Sequence, residues 1–413
     1  MNFDDTPQEA EFRAEVRAWI DANAPKHLDD VLGKATFGRT NIDKDVMMAE
    51  SKAWQKKKQE AGWACLHWPT EFGGRDASPI ERVIWSQEEG HYGILSGIFL
   101  IGQGMCGPTM MAFATNEQNE ELMPRLASGE DVWCQMFSEP ASGSDLAGLR
   151  TKAVKDGDEW VINGQKIWTS GAHYCDWGIL LTRTDPDVPK HKGLTMFFVN
   201  MKSPGIEIRP IKQVNGNSDF NEVFFTDLRV PDSQRLGDVG NGWNVGLVTL
   251  MNERLAIGGG MATGFPEFLD FVQGLDLDGT PAIKDGAVRE RLADWHVKAA
   301  GLKHTASRMI SAVSQGATPG PEASIGKLVA GSLMQDISIY AAELQEQSGA
   351  IIDPENAPYA GRFQAMLLRS PATRIEGGTD EILRNIIAER VLGLPSEVRV
   401  DKNVAFKDVP KGA

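Results

Sequence analysis

Gln135-Met136-Phe137-Ser138-Glu139-Pro140-Ala141-Ser142-Gly143-Ser144-Asp145-Leu146-Ala147-Gly148-Leu149 is the stretch on which the reading of this chain turns. Pro fixes one φ, Gly frees another, and Ser and Asp side chains bond nearby backbone, so residues 138–145 form a loop that offers N–H groups to a ligand. Short runs of strand character follow at 151–154, 159–162 and 165–168, separated by Asp156-Gly157-Asp158 and by Asn163-Gly164. Asn-Gly between apolar runs predicts a type I′ hairpin turn, because both central residues need positive φ. Trp168-Thr169-Ser170-Gly171 then ends a hairpin strand.

Working outward, further strand-like runs at 179–182, 194–199, 206–211 and 223–230 are divided by turn residues such as Asp185-Pro186-Asp187 and Ser203-Pro204-Gly205. About seven short strands at this spacing predict a small antiparallel barrel or sandwich. The chain before them is helical. Thr6-Pro7-Gln8-Glu9 places an N-cap hydroxyl, a Pro at the first helical position and a capping-box Glu in order, and Phe12, Val16, Trp19 and Ile20 share one face. Helical patterns recur at 45–62 and 80–90, with Pro69 and Gly73-Gly74 between them. Gly102-Gln103-Gly104-Met105-Cys106-Gly107 matches the dinucleotide fingerprint G-x-G-x-x-G in letters only. No β-branched strand precedes it and Pro108 follows at once, so close helix packing is the better account of its glycines. After the strands, helical periodicity runs from about Trp243 to Leu394, with breaks at 276–286, 316–321 and 352–358. The expected fold is therefore α+β and multidomain: an N-terminal helical domain (1–131), a middle antiparallel β-barrel or sandwich (132–237), a C-terminal helical bundle (238–396) and a polar tail (397–413).

A chain of 413 residues fits two or three domains. Its net charge of −15 argues against sequence-independent nucleic-acid binding, which needs basic surface. No apolar run is long enough to span a bilayer, and the acidic start Met1-Asn2-Phe3-Asp4-Asp5 is unlike a signal or transit peptide; both predict a cytoplasmic protein without membrane association. Cys65, Cys106, Cys134 and Cys175 form no C-x-x-C pair and are expected to be reduced and buried. The histidines show no H-x-x-x-H spacing, so no metal site is indicated.

The run Glu139-Pro140-Ala141-Ser142-Gly143-Ser144-Asp145, the later Val161-Ile162-Asn163-Gly164-Gln165-Lys166-Ile167-Trp168 and the closing Glu376-Gly377-Gly378-Thr379-Asp380-Glu381-Ile382 stand in an order that strongly resembles the acyl-CoA dehydrogenase family. The resemblance covers nearly the whole chain. It implies three domains, helical, β and helical, with FAD held where the middle domain meets the C-terminal helices. It also implies removal of two hydrogens from the α and β carbons of an acyl-CoA thioester, a base taking the α proton while the flavin accepts the β hydrogen. Many members carry that base as Glu directly before the Gly-Thr of the closing motif, but here Gly377 precedes Gly378-Thr379. A second group places it on a C-terminal-domain helix just before an Arg, and the matching pair is Glu253-Arg254. The base is accordingly assigned to Glu253, with Glu376 as runner-up.

By the same resemblance, flavin contacts fall to Phe137, Ser138, Gly143, Ser144, Trp168, Thr169, Ser170, Gly378, Thr379 and Glu381. Substrate contacts fall to Ser144, Arg254 and Gly377, whose N–H donates to the thioester carbonyl. Two family features are missing: no R-x-F-G occurs in 265–295, and the Gly-rich loop is reduced to Gln345-Glu346-Gln347-Ser348-Gly349. The expected partners are an acyl-CoA, a soluble acceptor of the electron-transfer flavoprotein type, and further subunits in a homotetramer or in a heterotetramer with a related chain. A flavin oxidase or monooxygenase of the same fold, or one subunit of a hetero-oligomeric dehydrogenase, is the alternative. From Glu253, helical spacing carries one face through Ala256, Ile257, Gly260 and Gly264, with Gly258 and Gly259 beside it. That bare face predicts either close helix packing or room for a bulky, branched or long acyl group, and the second is preferred.

Overall fold

The computed structural model describes residues 5–33, 42–257, 263–314, 320–398 and 401–410. The side chains of 254–257, 313 and 314 lie outside that description, Arg254 among them. The chain divides into two units, one of residues 1–32, 42–256 and 397–413 and the other of 33–41 and 257–396.

The first unit opens with the helix Pro7–Asn23, whose start is the expected capping box. Thr6 Oγ1 accepts from the Glu9 amide, the Glu9 carboxylate accepts from the Thr6 amide, and Pro7 leads the helix. Val16 and Ile20 are buried in a cluster with Trp54, Trp63 and Trp85, and Phe12 and Trp19 close its margin. Inside this helical layer the buried Glu89 carboxylate accepts from the Trp54 and Trp85 indoles and from Lys58 Nζ, so both of its oxygens are hydrogen-bonded. Two of the glycines in 102–107, Gly102 and Gly107, serve close packing. A Cβ at Gly107 would sit 2.4 Å from Trp68 Cζ2, and one at Gly102 would sit 2.8 Å from Leu126 Cδ1. All four cysteines are free and buried.

The β layer has eight strands: β1 Trp133–Met136, β2 Lys152–Asp156, β3 Glu159–Ser170, β4 Trp177–Arg183, β5 Leu194–Asn200, β6 Ile206–Ile211, β7 Phe220–Pro231 and β8 Arg235–Leu236. Their order is β6-β7-β3-β2-β4-β5-β8, with β1 added on β4. Neighbours are antiparallel except β1 on β4 and the single parallel pair Lys152↔Arg183. The hairpin turn expected at Asn163-Gly164 is not there. The chain reverses at Gly157-Asp158, where Asp156 pairs with Glu159, and β3 then runs unbroken through 163–164. Gly164 marks a bulge against β7, and a Cβ there would meet Thr151 Oγ1 at 2.6 Å. The Asn163 side chain is spent on β7, donating to Asp227 Oδ1 and accepting from the Asp227 amide.

The helix Gly242–Ile257 buries Val245 and Thr249, with Thr249 Oγ1 2.8 Å from Thr109 Oγ1. The polar tail is docked over 401–410. Ala405 bridges Pro189, the Phe406 amide donates to the Val188 carbonyl, and Lys407 pairs with Asp187.

The second unit packs the helices Phe265–Gly274, Gly286–Ser314, Ala323–Leu344 and Arg362–Thr373 around Phe268, Phe271, Trp295, Ile337, Phe363 and Met366. Gly264 does not continue the helix of Glu253. It is the N-cap of Phe265–Gly274 at φ +80°, and a Cβ there would lie 2.0 Å from Met366 Cε. A left-handed residue ends a helical face, so this glycine is explained by its φ and by packing. Gly258, Gly259 and Gly260 lie outside the described residues. Among the described residues no single helix is long and apolar enough to cross a membrane.

Candidate active site

Strand β1 delivers the chain into the loop through Phe137, which is buried, and Ser138, which is half-buried. The loop folds back on itself: the Glu139 and Ser142 amides and carbonyls exchange hydrogen bonds of 3.0 Å across Pro140-Ala141. Ser142 Oγ donates to the Asp145 carbonyl at 2.5 Å. Gly143 and Ser144 project from this turn and are exposed, and nothing lies within 4 Å of a Cβ built on Gly143. An open, backbone-rich turn of this kind can accept a ligand at close range.

What fixes the loop is a buried ion pair that the sequence motifs do not flag. Lys166 Nζ donates to Glu139 Oε1 at 2.8 Å and to the Phe137 carbonyl at 2.9 Å, and neither side chain reaches solvent appreciably. Glu139 also accepts from the Arg150 and Thr151 amides. Burial pushes the Lys166 ammonium down to about 8, although Glu139 opposes the shift. Burial alone would raise Glu139, but the Lys166 charge and these hydrogen bonds prevail and hold its carboxyl below the ordinary value. A lysine on the inward face of a strand, in register with Trp160 and Ile162, was the available signal.

At the end of β3 the register against β7 slips between Lys166 and Thr169. Trp168 there adopts φ 60°, which a non-glycine residue rarely tolerates, and the residue is 56% exposed with its ring set edge-on to Phe220. Strain of this kind costs on the order of 1–3 kcal/mol and collects at functional sites. Thr169 is buried, its carbonyl accepts from Asn221 Nδ2, and its Oγ1 has no partner among the described residues. Ser170 is half-buried.

Glu253 is half-buried on the helix Gly242–Ile257, one helical turn beyond the buried Thr249. The remaining expected residues belong to the second unit. Glu376 is exposed and pairs with Arg369 at 2.5 Å. Gly377 and Gly378 follow at φ 62° and 101°, and Lys327 Nζ donates to the Gly378 carbonyl. Thr379 caps the helix Asp380–Ile386, its Oγ1 accepting from the Ile382 amide, so its O–H remains as a donor. Behind it Arg374 ties the buried Asp380 to Gln335. Glu381 is exposed beside Arg384.

Three contiguous family models match this chain: the N-terminal domain of acyl-CoA dehydrogenase over residues 6–130, the middle domain over 134–228 and the C-terminal domain over 240–392. The chain is 40% identical over 347 residues to acyl-CoA dehydrogenase FadE34 of Mycobacterium tuberculosis, covering 83% of this chain but only 46% of that relative's length. It is 36% identical over 391 residues to acyl-CoA dehydrogenase IpdE1 of the same organism, covering 94% of this chain and 98% of IpdE1. Among solved structures, the Tcur3481-Tcur3483 steroid ACAD superposes with a TM-score of 0.79 at 28% identity, over 96% of this chain and 100% of that one. Matched by the N-terminal, middle and C-terminal models of that family, the chain belongs to the acyl-CoA dehydrogenase family.

Proposed function

We propose that this chain dehydrogenates an acyl-CoA between its α and β carbons to the trans-2-enoyl-CoA, with Glu253 taking the α proton. An α carbon beside a thioester is a weak acid, so a carboxylate must meet it while a donor stabilises the enolate oxygen. The observation that carries the choice of base is the fate of the closing motif. The position directly before Gly378-Thr379 is a glycine at φ 62°, which offers no carboxylate there, and Glu376 stands one place earlier at an exposed position. Glu253 follows a buried turn of its helix, which fixes its backbone. Gly377 donates its N–H to the thioester carbonyl, and Ser144 and Arg254 hold the substrate.

The cofactor of this reading is FAD, which when bound accepts the β hydrogen as hydride. An exposed indole held in strained backbone, a buried Thr169 Oγ1 with no partner among the described residues and an open glycine turn form a donor set that suits a flat, polar-edged ring. Phe137, Ser138, Gly143, Ser144, Trp168, Thr169, Ser170, Gly378, Thr379 and Glu381 would hold it. Electrons leave to a soluble protein acceptor of the electron-transfer flavoprotein type.

A bulky, ring-bearing acyl group is the substrate we favour, supported by the likeness to the steroid ACAD. A second reading, one subunit of a hetero-oligomeric dehydrogenase, is favoured by one fact. That steroid ACAD carries two designations, Tcur3481 and Tcur3483. The test is the visible spectrum of the purified protein, followed by anaerobic titration with a steroid-type acyl-CoA and with butyryl-CoA. Bleaching by the ring-bearing thioester first is expected. A colourless protein that turns over neither compound until a related chain is added would establish the second reading, and rapid reoxidation of the reduced protein in air would point to an oxidase.

A further inference from the structure

The docked tail ends where the motif loop is held from behind. Lys190, largely buried, donates to both carboxylate oxygens of Asp145 at 2.9 Å and to Asp401 at 2.5 Å, so one ammonium joins the loop to the tail. Arg183, also buried, donates from Nε to the Leu149 carbonyl and from its terminal nitrogens to the Ala147 and Lys190 carbonyls. The Phe406 ring covers one face of that guanidinium, 3.5 Å from its central carbon to the ring centroid. Phe406 is itself fixed by the hydrogen bond that its amide donates to the Val188 carbonyl and by the 405–189 bridge.

We propose that residues 401–408 act as a strap that sets the conformation of the 142–149 loop, with Phe406 and Asp401 as positioning residues acting through Arg183 and Lys190. A planar guanidinium holds three carbonyls in one orientation only if its plane is fixed, and a ring stacked on its face fixes that plane. Asp145 is mostly exposed, whereas Lys190 is not, so the lysine's position decides where the loop's carboxylate sits. The effect on catalysis follows from the reading that Ser144 in this loop meets the acyl-CoA: a loosened loop weakens substrate binding more than it slows proton transfer by Glu253.

The experiment compares full-length wild type, Phe406→Ala, Phe406→Trp, Asp401→Asn and a truncation after Ser396. Amide hydrogen exchange of the 142–149 segment is read by mass spectrometry, alongside steady-state kinetics. In Phe406→Ala we expect exchange there to quicken by about tenfold while the rest of the β layer is unchanged. KM should rise roughly tenfold, the scale of a 1.4 kcal/mol loss, with kcat held within about twofold. Phe406→Trp should restore both. If the truncated chain does not fold, the point variants carry the test. Unchanged exchange in folded Phe406→Ala overturns the strap. Faster exchange with KM and kcat unmoved overturns its role in positioning substrate. Should wild type turn over no acyl-CoA at all, the functional reading falls, and the exchange data still decide whether the strap holds the loop.

Discussion

Lys166 Nζ sits 2.8 Å from Glu139 Oε1 with both side chains removed from water, and the same ammonium holds the Phe137 carbonyl. The loop that names the family is therefore built around a charge pair inside the β layer. Breaking one partner of such a pair strands the other, whereas removing both is far less costly. Lys166→Met should lower unfolding free energy by about 3–5 kcal/mol, and Glu139→Gln in that background should recover part of it. Denaturant midpoints of the two single variants and the double variant check this, and additive losses would contradict it.

Glu253→Gln should keep the fold and the flavin but cut kcat by about 10²–10⁴, the usual scale for a lost general base. Glu376→Gln removes a surface partner of Arg369 and should change kcat far less. The reverse ranking in single-turnover measurements would move the base to Glu376.

Trp168 stands at φ 60° and is more than half exposed, so glycine there relieves strain while giving up little burial. Trp168→Gly should leave stability within about 1 kcal/mol of wild type. It should retain less flavin through gel filtration, where Trp168→Phe retains more. Equal flavin content in all three proteins would remove Trp168 from the cofactor site.

Burial, reinforced by the charge of Arg82, pushes the His67 imidazole down to about 3, against about 6.5 in an unfolded chain. Between those values the unfolded chain binds a proton that the folded chain refuses, so stability is lost as pH falls from about 6.5 toward 3. His67→Gln should flatten that acid limb when Tm is followed against pH. An unchanged slope would assign the acid sensitivity to other groups.

Gly264 combines φ +80° with Met366 Cε at 2.0 Å from any added Cβ. Gly264→Ala should destabilise by roughly 1–3 kcal/mol, from backbone strain and overpacking together. Adding Met366→Ala, which clears the steric part, should leave a smaller increment for the glycine change. Full additivity would show that backbone strain alone is responsible.

Much was legible in the sequence because it depends on neighbours along the chain. The capping box at Thr6-Glu9, the division into helices, strands and helices, the buried thiols and the open turn at Gly143-Ser144 follow from turn chemistry, periodicity and local propensity. The absence of a Glu at 377 was equally visible, and it directed attention to Glu253. Other features were decided by partners distant in sequence. Asn163-Gly164 has the letters of a hairpin turn, yet Asp227 captures the Asn side chain and Thr151 leaves room only for a glycine, so the strand bulges and continues. Gly264 looked like one more step on the helix of Glu253, and the bundle around Met366 made it a cap instead. The tail reads in sequence only as a polar end, but Lys190 and Arg183 lie where Asp401 and Phe406 can meet them, more than two hundred residues apart in sequence. A charge or a ring acquires its role only from what the fold brings against it, and that juxtaposition is not written in any local stretch of the chain.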